Sequence, residues 1–296
     1  MIKKAKPYSL SLKFSLPRQP LTMKTRQGIL ITVGDGKYFG TGDCAPLPGF
    51  SKESYDDVKE EVDLWLKGKK TASLPSLCWA IDVAMSKYQA QKKEISLTKF
   101  WSRGDFLSRD DLRIAKLYHE RISISHNDVI KVKVGESSLR EDISKISYIV
   151  KEFSPRKIRL DVNRKWDLSD AIFFCKKMES LPIDYIEEPC ASPTDLPLLE
   201  RETSLKLALD ESLYKDDWEW EKFLPKVYAI ILKPTLLGGI EALRRIEEKA
   251  RGASCHCVVS SSFESDIGID ALKHLACAWQ QEDIAAGLDT EKWFFS

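Results

Sequence analysis

Apolar residues along this chain gather into short runs that carry a charge at or beside their end. The clearest are Ile130-Lys131-Val132-Lys133-Val134, Ile158-Arg159-Leu160-Asp161, Ile183-Asp184-Tyr185-Ile186-Glu187, Leu205-Lys206-Leu207-Ala208-Leu209-Asp210 and Ala229-Ile230-Ile231-Leu232-Lys233. Runs of this length, rich in Val, Ile and Leu, read as buried strands. Their last charges, Lys133, Asp161, Glu187, Asp210 and Lys233, recur at steps of 28, 26, 23 and 23 residues. That step is close to one strand-plus-helix unit of a fold that uses about 250 residues for eight such units. A charge inside a barrel core is costly, whereas at the C-terminal rim of the strands it can do chemistry.

The remaining pattern fills in the chain. Tyr8 to Phe14 alternates, and Gly28 to Val33 leads to a turn at Gly34-Asp35-Gly36, which predicts β structure over the first 40 residues. Gly40 to Phe50 is read as too rich in Gly and Pro for an element interior. Ser51 is read as the cap of a helix to about Leu66, with Glu53 or Ser54 in its first turn, and Cys78 to Gln91 as a second helix. These elements make an α+β domain, residues 1–108, that ends in the charged stretch from Ser102 to Arg113. In 109–296, Arg113 to Leu117 adds a first strand and Cys257 to Ser260 a seventh. A helix from Gly238-Gly239 to about Ala250 is expected to close at Gly252, and Glu264 to Trp279 to be a further helix. Asp283 to Leu288 is an eighth strand followed by only eight residues, so the last helix is expected to be missing or contributed by the other domain.

Composition narrows the partners. With 296 residues, 43% apolar and 31% charged, the chain is an ordinary globular protein long enough for a barrel and a smaller domain. A formal net charge of +1 gives no electrostatic footprint for nucleic acid or membrane. Seven scattered cysteines point to reduced thiols in a cytoplasmic protein, and Cys255-His256-Cys257 lacks the second ligand pair of a zinc site. Met1-Ile2-Lys3-Lys4 starts like a signal peptide, but Lys13, Pro17 and Arg18 interrupt any apolar region.

Alternation along strands puts Lys131 and Lys133 on one face, and Arg159, Asp161 and Asn163 on one face. With Lys133 on strand two and Lys233 on strand six of eight, the two lysines are expected to face each other across the mouth. Asp161, Glu187 and Asp210 become neighbours, and three adjacent carboxylates repel unless a cation sits among them. An all-oxygen donor set favours Mg²⁺, with Mn²⁺ as the alternative. Alternation points only one of Glu187 and Glu188 inward, so Glu187 is taken as the ligand and Glu188 as its supporting neighbour or a salt-bridge partner. The charge of Lys131 is expected to favour a neutral Lys133.

The series Lys131-Val132-Lys133, Asp161-Val162-Asn163, Glu187-Glu188-Pro189, Asp210-Glu211-Ser212 and Lys233-Pro234-Thr235 resembles that of the enolase superfamily, above all its o-succinylbenzoate synthases. Ala45 to Ser51, Ser260 to Ser265 and Gly287 to Thr290 resemble it too, so the likeness runs from about Lys24 to Thr290. Asp43 stands where that family more often has Glu, and Arg113 to Val129 matches no motif of it. The resemblance implies a (β/α)7β TIM-like barrel of the α/β class with an N-terminal α+β capping domain. It implies syn dehydration of 2-succinyl-6-hydroxy-2,4-cyclohexadiene-1-carboxylate to o-succinylbenzoate on the route to menaquinone. Mg²⁺ on Asp161, Glu187 and Asp210 would then neutralise an enediolate, a pairing with a lysine base already described for this superfamily. Lys133 would be acid and base, and Lys233 a fixed cation. Substrate contacts are expected from Lys131, Arg159, Asn163, Ser261, Ser262, Gly49, Phe50 and Gly287. Two alternatives stay open: racemisation of N-succinylamino acids with both lysines exchanging protons, and a barrel that binds metal and ligand without turnover.

Overall fold

The computed structural model describes residues 1–16, 23–102, 112–119, 122–214, 219–281 and 283–295. In chain order the elements are β1 (Ile2–Ser11), β2 (Thr25–Gly34), β3 (Phe39–Cys44), α1 (Tyr55–Leu66), α2 (Pro75–Lys92) and α3 (Leu97–Trp101). There follow β4 (Lys116–Leu117), β5 (Val129–Lys133), α4 (Leu139–Phe153), β6 (Lys157–Asp161), α5 (Leu168–Met178), β7 (Ile183–Glu187), α6 (Leu196–Glu202) and β8 (Leu207–Leu209). The chain continues through β9 (Ala229–Leu232), α7 (Pro234–Leu237), α8 (Ile240–Gly252), β10 (His256–Val259) and α9 (Asp266–Trp279). It forms two compact units: Met1–Leu112 with Leu232–Ile246 and Val259–Ser296, and Arg113–Ile231 with Glu247–Val258. Most of the charged stretch read as a domain boundary, 103–111, lies outside the described residues.

The first unit holds an antiparallel sheet in the order β1-β2-β3, with Ile2 opposite Gly34 and Ile29 opposite Cys44. Ile29, Ile31 and Val33 alternate onto one face, where they bury against Val58, Val62 and Trp65 of α1 and Leu77, Ala80 and Ala84 of α2. The strand β3 corrects the expectation of an irregular Gly40 to Phe50. Its glycines are there because α2 comes so close: a Cβ on Gly40 would lie 1.9 Å from the Ala84 carbonyl oxygen, and one on Gly42 2.0 Å from that of Ala80. Ser54, not Ser51, caps α1, in a reciprocal box with Asp57. Glu53 lies outside that helix, and its carboxylate accepts the Ser76 N–H at 2.9 Å. Glu61 accepts the N–H groups of Ser73 and Leu74 at 2.6 and 2.9 Å, so two distant glutamates cap α2, whose own cap residue is Leu74. Near the end of the chain, Phe294 bridges to Leu12, and the Phe295 N–H donates to the Ser11 carbonyl at 3.0 Å.

The second unit is built on a seven-stranded sheet in the order β10-β9-β8-β7-β6-β5-β4, parallel from β4 to β9. With α4 and α5 between its strands, it is an α/β fold. Among the described residues no α-helix joins β4 to β5, and 3-10 turns at Glu211–Tyr214 and Trp220–Lys226 stand between β8 and β9. The expected strand over Asp283 to Leu288 is reduced to a parallel bridge of Gly287 with Ser260. Gly252 is the last residue of α8, not its cap; Ser254 takes the left-handed conformation (φ 56°) and the Cys255 N–H returns to the Ala250 carbonyl. Among the described residues no helix is long and apolar enough to cross a membrane.

The buried carboxylate of Glu61 generates a prediction about acid stability. Burial pushes its pKa up, but Lys70 and the Ser73 and Leu74 donors outweigh that and bring it down from 4.5 to about 2. A depressed carboxylate stabilises the fold above the unfolded value and loses that contribution as pH falls towards about 2. Glu61→Gln should therefore lower stability at neutral pH by roughly 2 kcal/mol and flatten the acid limb of the stability curve. Urea unfolding of both proteins from neutral to acid pH measures this; equal midpoints at neutral pH would remove Glu61 as the cap.

Candidate active site

The carboxylates predicted to cluster are placed by strand register. In the ladder Lys133 lies opposite Asp161, Asp161 opposite Glu187, and Glu187 opposite Ala208, two residues before Asp210. Asp161, Glu187 and Asp210 are 5%, 1% and 1% exposed. The Lys131 ammonium sits 3.0 Å from Asp161 and in closer contact with Glu187. Burial lowers the pKa of Lys131, yet Asp161, Glu187 and Asp210 together hold it well above the usual lysine value. Burial pushes Glu187 up; Lys131 opposes that, while Asp161 and Asp210 add to it. Lys131 is therefore an ion-pair partner of two carboxylates of the next two strands.

Lys133 donates to the Asn163 side-chain oxygen at 3.3 Å, and the Asn163 amide donates to Asp161. Asn163 thus joins the expected base to the first carboxylate. Its place owes nothing to strand alternation, since β6 ends at Asp161 and Asn163 is left-handed with φ 51°. Arg159 lies two residues deeper on β6, about 7 Å below Asp161. It is 2% exposed, bonded to Asp184 at 3.0 Å and stacked 4.7 Å from the Tyr185 ring centroid. A register shift next to Ile158 and Arg159 leaves Asp184 without a ladder partner there, so it turns towards the guanidinium.

Glu188 follows Glu187 in the left-handed conformation, with φ 44°. Its carboxylate accepts the N–H groups of Asp210 and Ser212 and the Ser212 hydroxyl. Burial, then Glu211, pushes its pKa up to about 7. The Tyr214 hydroxyl donates to Asp210 at 3.1 Å. The supporting role expected of Glu188 thus goes to Asp210 and Ser212, just after the next strand, while nothing in the sequence marks Tyr214.

The other predicted residues belong to the first unit. Lys233 caps the short α7 and lies over the Phe50 ring at 5.9 Å. Gly49, at φ 75°, makes the turn in which the Phe50 and Ser51 N–H groups return to the Leu47 carbonyl. The Ser261 hydroxyl pairs with Thr290 at 2.7 Å, and the Gly287 carbonyl accepts the Ser261 N–H. Among the described residues the buried Ser262 hydroxyl has no hydrogen-bond partner. At the start of α9, Asp43 accepts both the N–H and the hydroxyl of Ser265. Arg26, also missed, is 1% exposed and donates to the carbonyls of Gln27, Ala45, Pro46, Ser262 and Phe263.

Chemically, the second unit presents an all-carboxylate donor set beside a lysine held by an amide. Hard oxygen donors that repel one another when ionised fit a divalent cation such as Mg²⁺. With Lys131 drawn in among them they are not closed into a ligand cage, and no three His, Cys, Asp or Glu among the described residues are.

Residues 113–293 match the family described as Enolase C-terminal domain-like, and residues 4–88 the family described as MenC, N-terminal domain. An o-succinylbenzoate synthase from Yersinia enterocolitica is 29% identical over 292 residues, covering 96% of this chain and 88% of that protein. The L-Ala-D/L-Glu epimerase from Bacillus subtilis superposes with a TM-score of 0.83 at 20% identity, over 100% of this chain and 91% of that one. A dipeptide epimerase from Enterococcus faecalis V583, solved with Mg and L-Leu-L-Tyr, also gives 0.83 at 20% identity, over 99% and 91%.

If Asp161 is a metal ligand, Asp161→Ala should weaken Mg²⁺ binding in titration calorimetry by at least tenfold, the lower end of the roughly 10–100-fold lost when even an outer partner is removed. Unchanged affinity would take Asp161 out of the ligand set.

Proposed function

The chain belongs to the enolase superfamily, and from that premise we propose that it is an o-succinylbenzoate synthase, a Mg²⁺-dependent lyase of menaquinone biosynthesis. The observation that carries the chemistry is the single row formed across β5, β6 and β7 by Lys133, Asp161 and Glu187. The likeness to a named o-succinylbenzoate synthase across 96% of the chain supports the substrate. The reading carries with it a (β/α)7β barrel over 109–296, a capping domain over 1–108, a small-molecule substrate and a cytoplasmic location.

The reaction removes the proton α to the substrate carboxylate and expels the neighbouring hydroxyl from the same face. Lys133, as the neutral amine, takes that proton and becomes an ammonium. It then gives the proton to the departing oxygen, so the C–H and C–O bonds broken leave water and the aromatic ring of o-succinylbenzoate. Asn163 holds the Lys133 nitrogen in place between these transfers. The metal, on Asp161, Glu187 and Asp210, would supply charge neutralisation to the substrate carboxylate; the Mg seen with the dipeptide epimerase of the same fold supports that ion. Lys131 is read as a substrate-side cation, and Lys233 as a fixed charge that stabilises the anion without exchanging protons. Ser261, Ser262 and Gly287 are read as contacts for the succinyl arm, and Gly49 and Phe50 as the part that excludes water.

Lys133→Ala should fold and still bind Mg²⁺ while turnover falls by at least ~10²–10⁴, the contribution of a positioned general base. A variant within tenfold of wild type, followed by absorbance of the aromatic product, would move the role to another residue.

Racemisation of N-succinylamino acids remains the second reading, because a second lysine, Lys233, also closes a strand. It requires Lys233 itself to exchange protons, which arginine cannot do near neutral pH. Lys233→Arg should keep measurable dehydration and lose any racemisation, read by polarimetry with deuterium exchange. Wild-type protein that racemises efficiently and makes no aromatic product would reverse the two readings.

A further inference from the structure

We propose that Glu188 and Tyr214 are positioning residues that hold Asp210 from two sides, and so set the affinity of the carboxylate cluster for a divalent cation. The inference rests on Asp210 being a ligand.

Three consecutive strand ends meet at residue 188. Its N–H donates to the Ala208 carbonyl at 3.0 Å, in line with β8, and its carbonyl accepts the Arg164 N–H at 2.8 Å, from the turn after β6. A strand continued straight through Glu187 would point the next side chain away from the Glu187 face. The left-handed φ of 44° breaks that alternation and sends the Glu188 carboxylate along the strand ends. A residue with a Cβ is found in this conformation only where its surroundings impose it. Here they do: one carboxylate oxygen accepts Asp210 N–H at 2.7 Å and Ser212 N–H at 2.8 Å, and the other accepts the Ser212 hydroxyl at 2.7 Å. The group is 1% exposed, so these donors replace its water.

Tyr214 works from the other end of the same 3-10 turn. Its hydroxyl donates to a side-chain oxygen of Asp210 at 3.1 Å and lies 3.3 Å from the Ile231 carbonyl. Glu188 therefore fixes the main chain of Asp210, and Tyr214 fixes one oxygen of its carboxylate. The side chain that stands at the end of the shortest strand of the row, the three-residue β8, is the one held by both. A short strand leaves its last residue with little ladder to define it, and the clamp supplies that definition. Partners that orient a ligand in this way are worth about 10–100-fold in metal affinity.

The test uses the full chain and Mg²⁺ alone as probe, in titration calorimetry, with the thermal midpoint recorded for each variant. Tyr214→Phe removes one hydroxyl from a ring that otherwise keeps its packing. It should weaken Mg²⁺ binding about tenfold and raise the Mg²⁺ concentration for half-maximal turnover, with substrate KM at saturating Mg²⁺ unchanged. Glu188→Met should weaken Mg²⁺ binding by about tenfold or more, and Glu188→Gln, which keeps an acceptor for the two N–H groups, should restore most of that. Wild-type binding with Tyr214→Phe and Glu188→Gln or Met all within twofold of it overturns this inference and leaves the ligand reading intact. If Glu188→Met does not fold, Tyr214→Phe decides alone. A wild-type protein that binds no Mg²⁺ overturns both.

Discussion

Three carboxylates that strand register forces side by side, each nearly out of water, repel one another, and most of the second unit is arranged around that repulsion. Asp161 and Glu187 share one ammonium, that of Lys131, while Asp161 also takes the Asn163 amide and Asp210 the Tyr214 hydroxyl. One step deeper, Arg159 and Asp184 form their own buried pair. Charges are thus neutralised in small groups, which is how a parallel sheet tolerates so many of them near its core. A cation of higher charge placed among the same oxygens would compete directly with Lys131, so metal affinity and the position of that lysine are linked.

The positions of Lys133, Asp161 and Glu187 were readable because two periodicities coincide in them. Apolar runs repeat with the strand-plus-helix unit, and each stops where the strand leaves the core, so the charged residue at the stop marks the strand end. What escaped was decided by contacts between elements distant in sequence. Arg159 shares the alternation of Asp161, and only the register shift beside it shows that it is committed to Asp184. Glu188 was placed by alternation, which a left-handed residue suspends. The long side chain of Lys131 reaches the carboxylates of the next two strands, which its own strand pattern does not show.

The first unit shows the same limit in another form. Gly40 and Gly42 look like strand breakers, but they are the condition for a strand lying against the backbone of α2. Leu74 has no capping side chain, and the caps come from Glu53 and Glu61, far back along the chain. An element that supplies its own ends, as α1 and α4 do with their Ser54 and Ser138 boxes, carries its boundary in its own sequence, although at α1 the neighbouring Ser51 competes for the part. That sequence is silent where a neighbour supplies the ends.

The pairing of Leu12 with Phe294 also bears on how the molecule is made. The first unit is assembled from three separate stretches of chain, so its contacts close over very long sequence separations. Such closure is entropically demanding and slow, and no ribosome can complete it before α9 and the residues around Phe294 have emerged. The second unit draws mainly on one continuous stretch and has most of its residues available earlier. During synthesis the exposed edge of β1 near Ser11 must wait for Phe295, and it is in that interval that the nascent chain would be most open to chaperones or to mispairing.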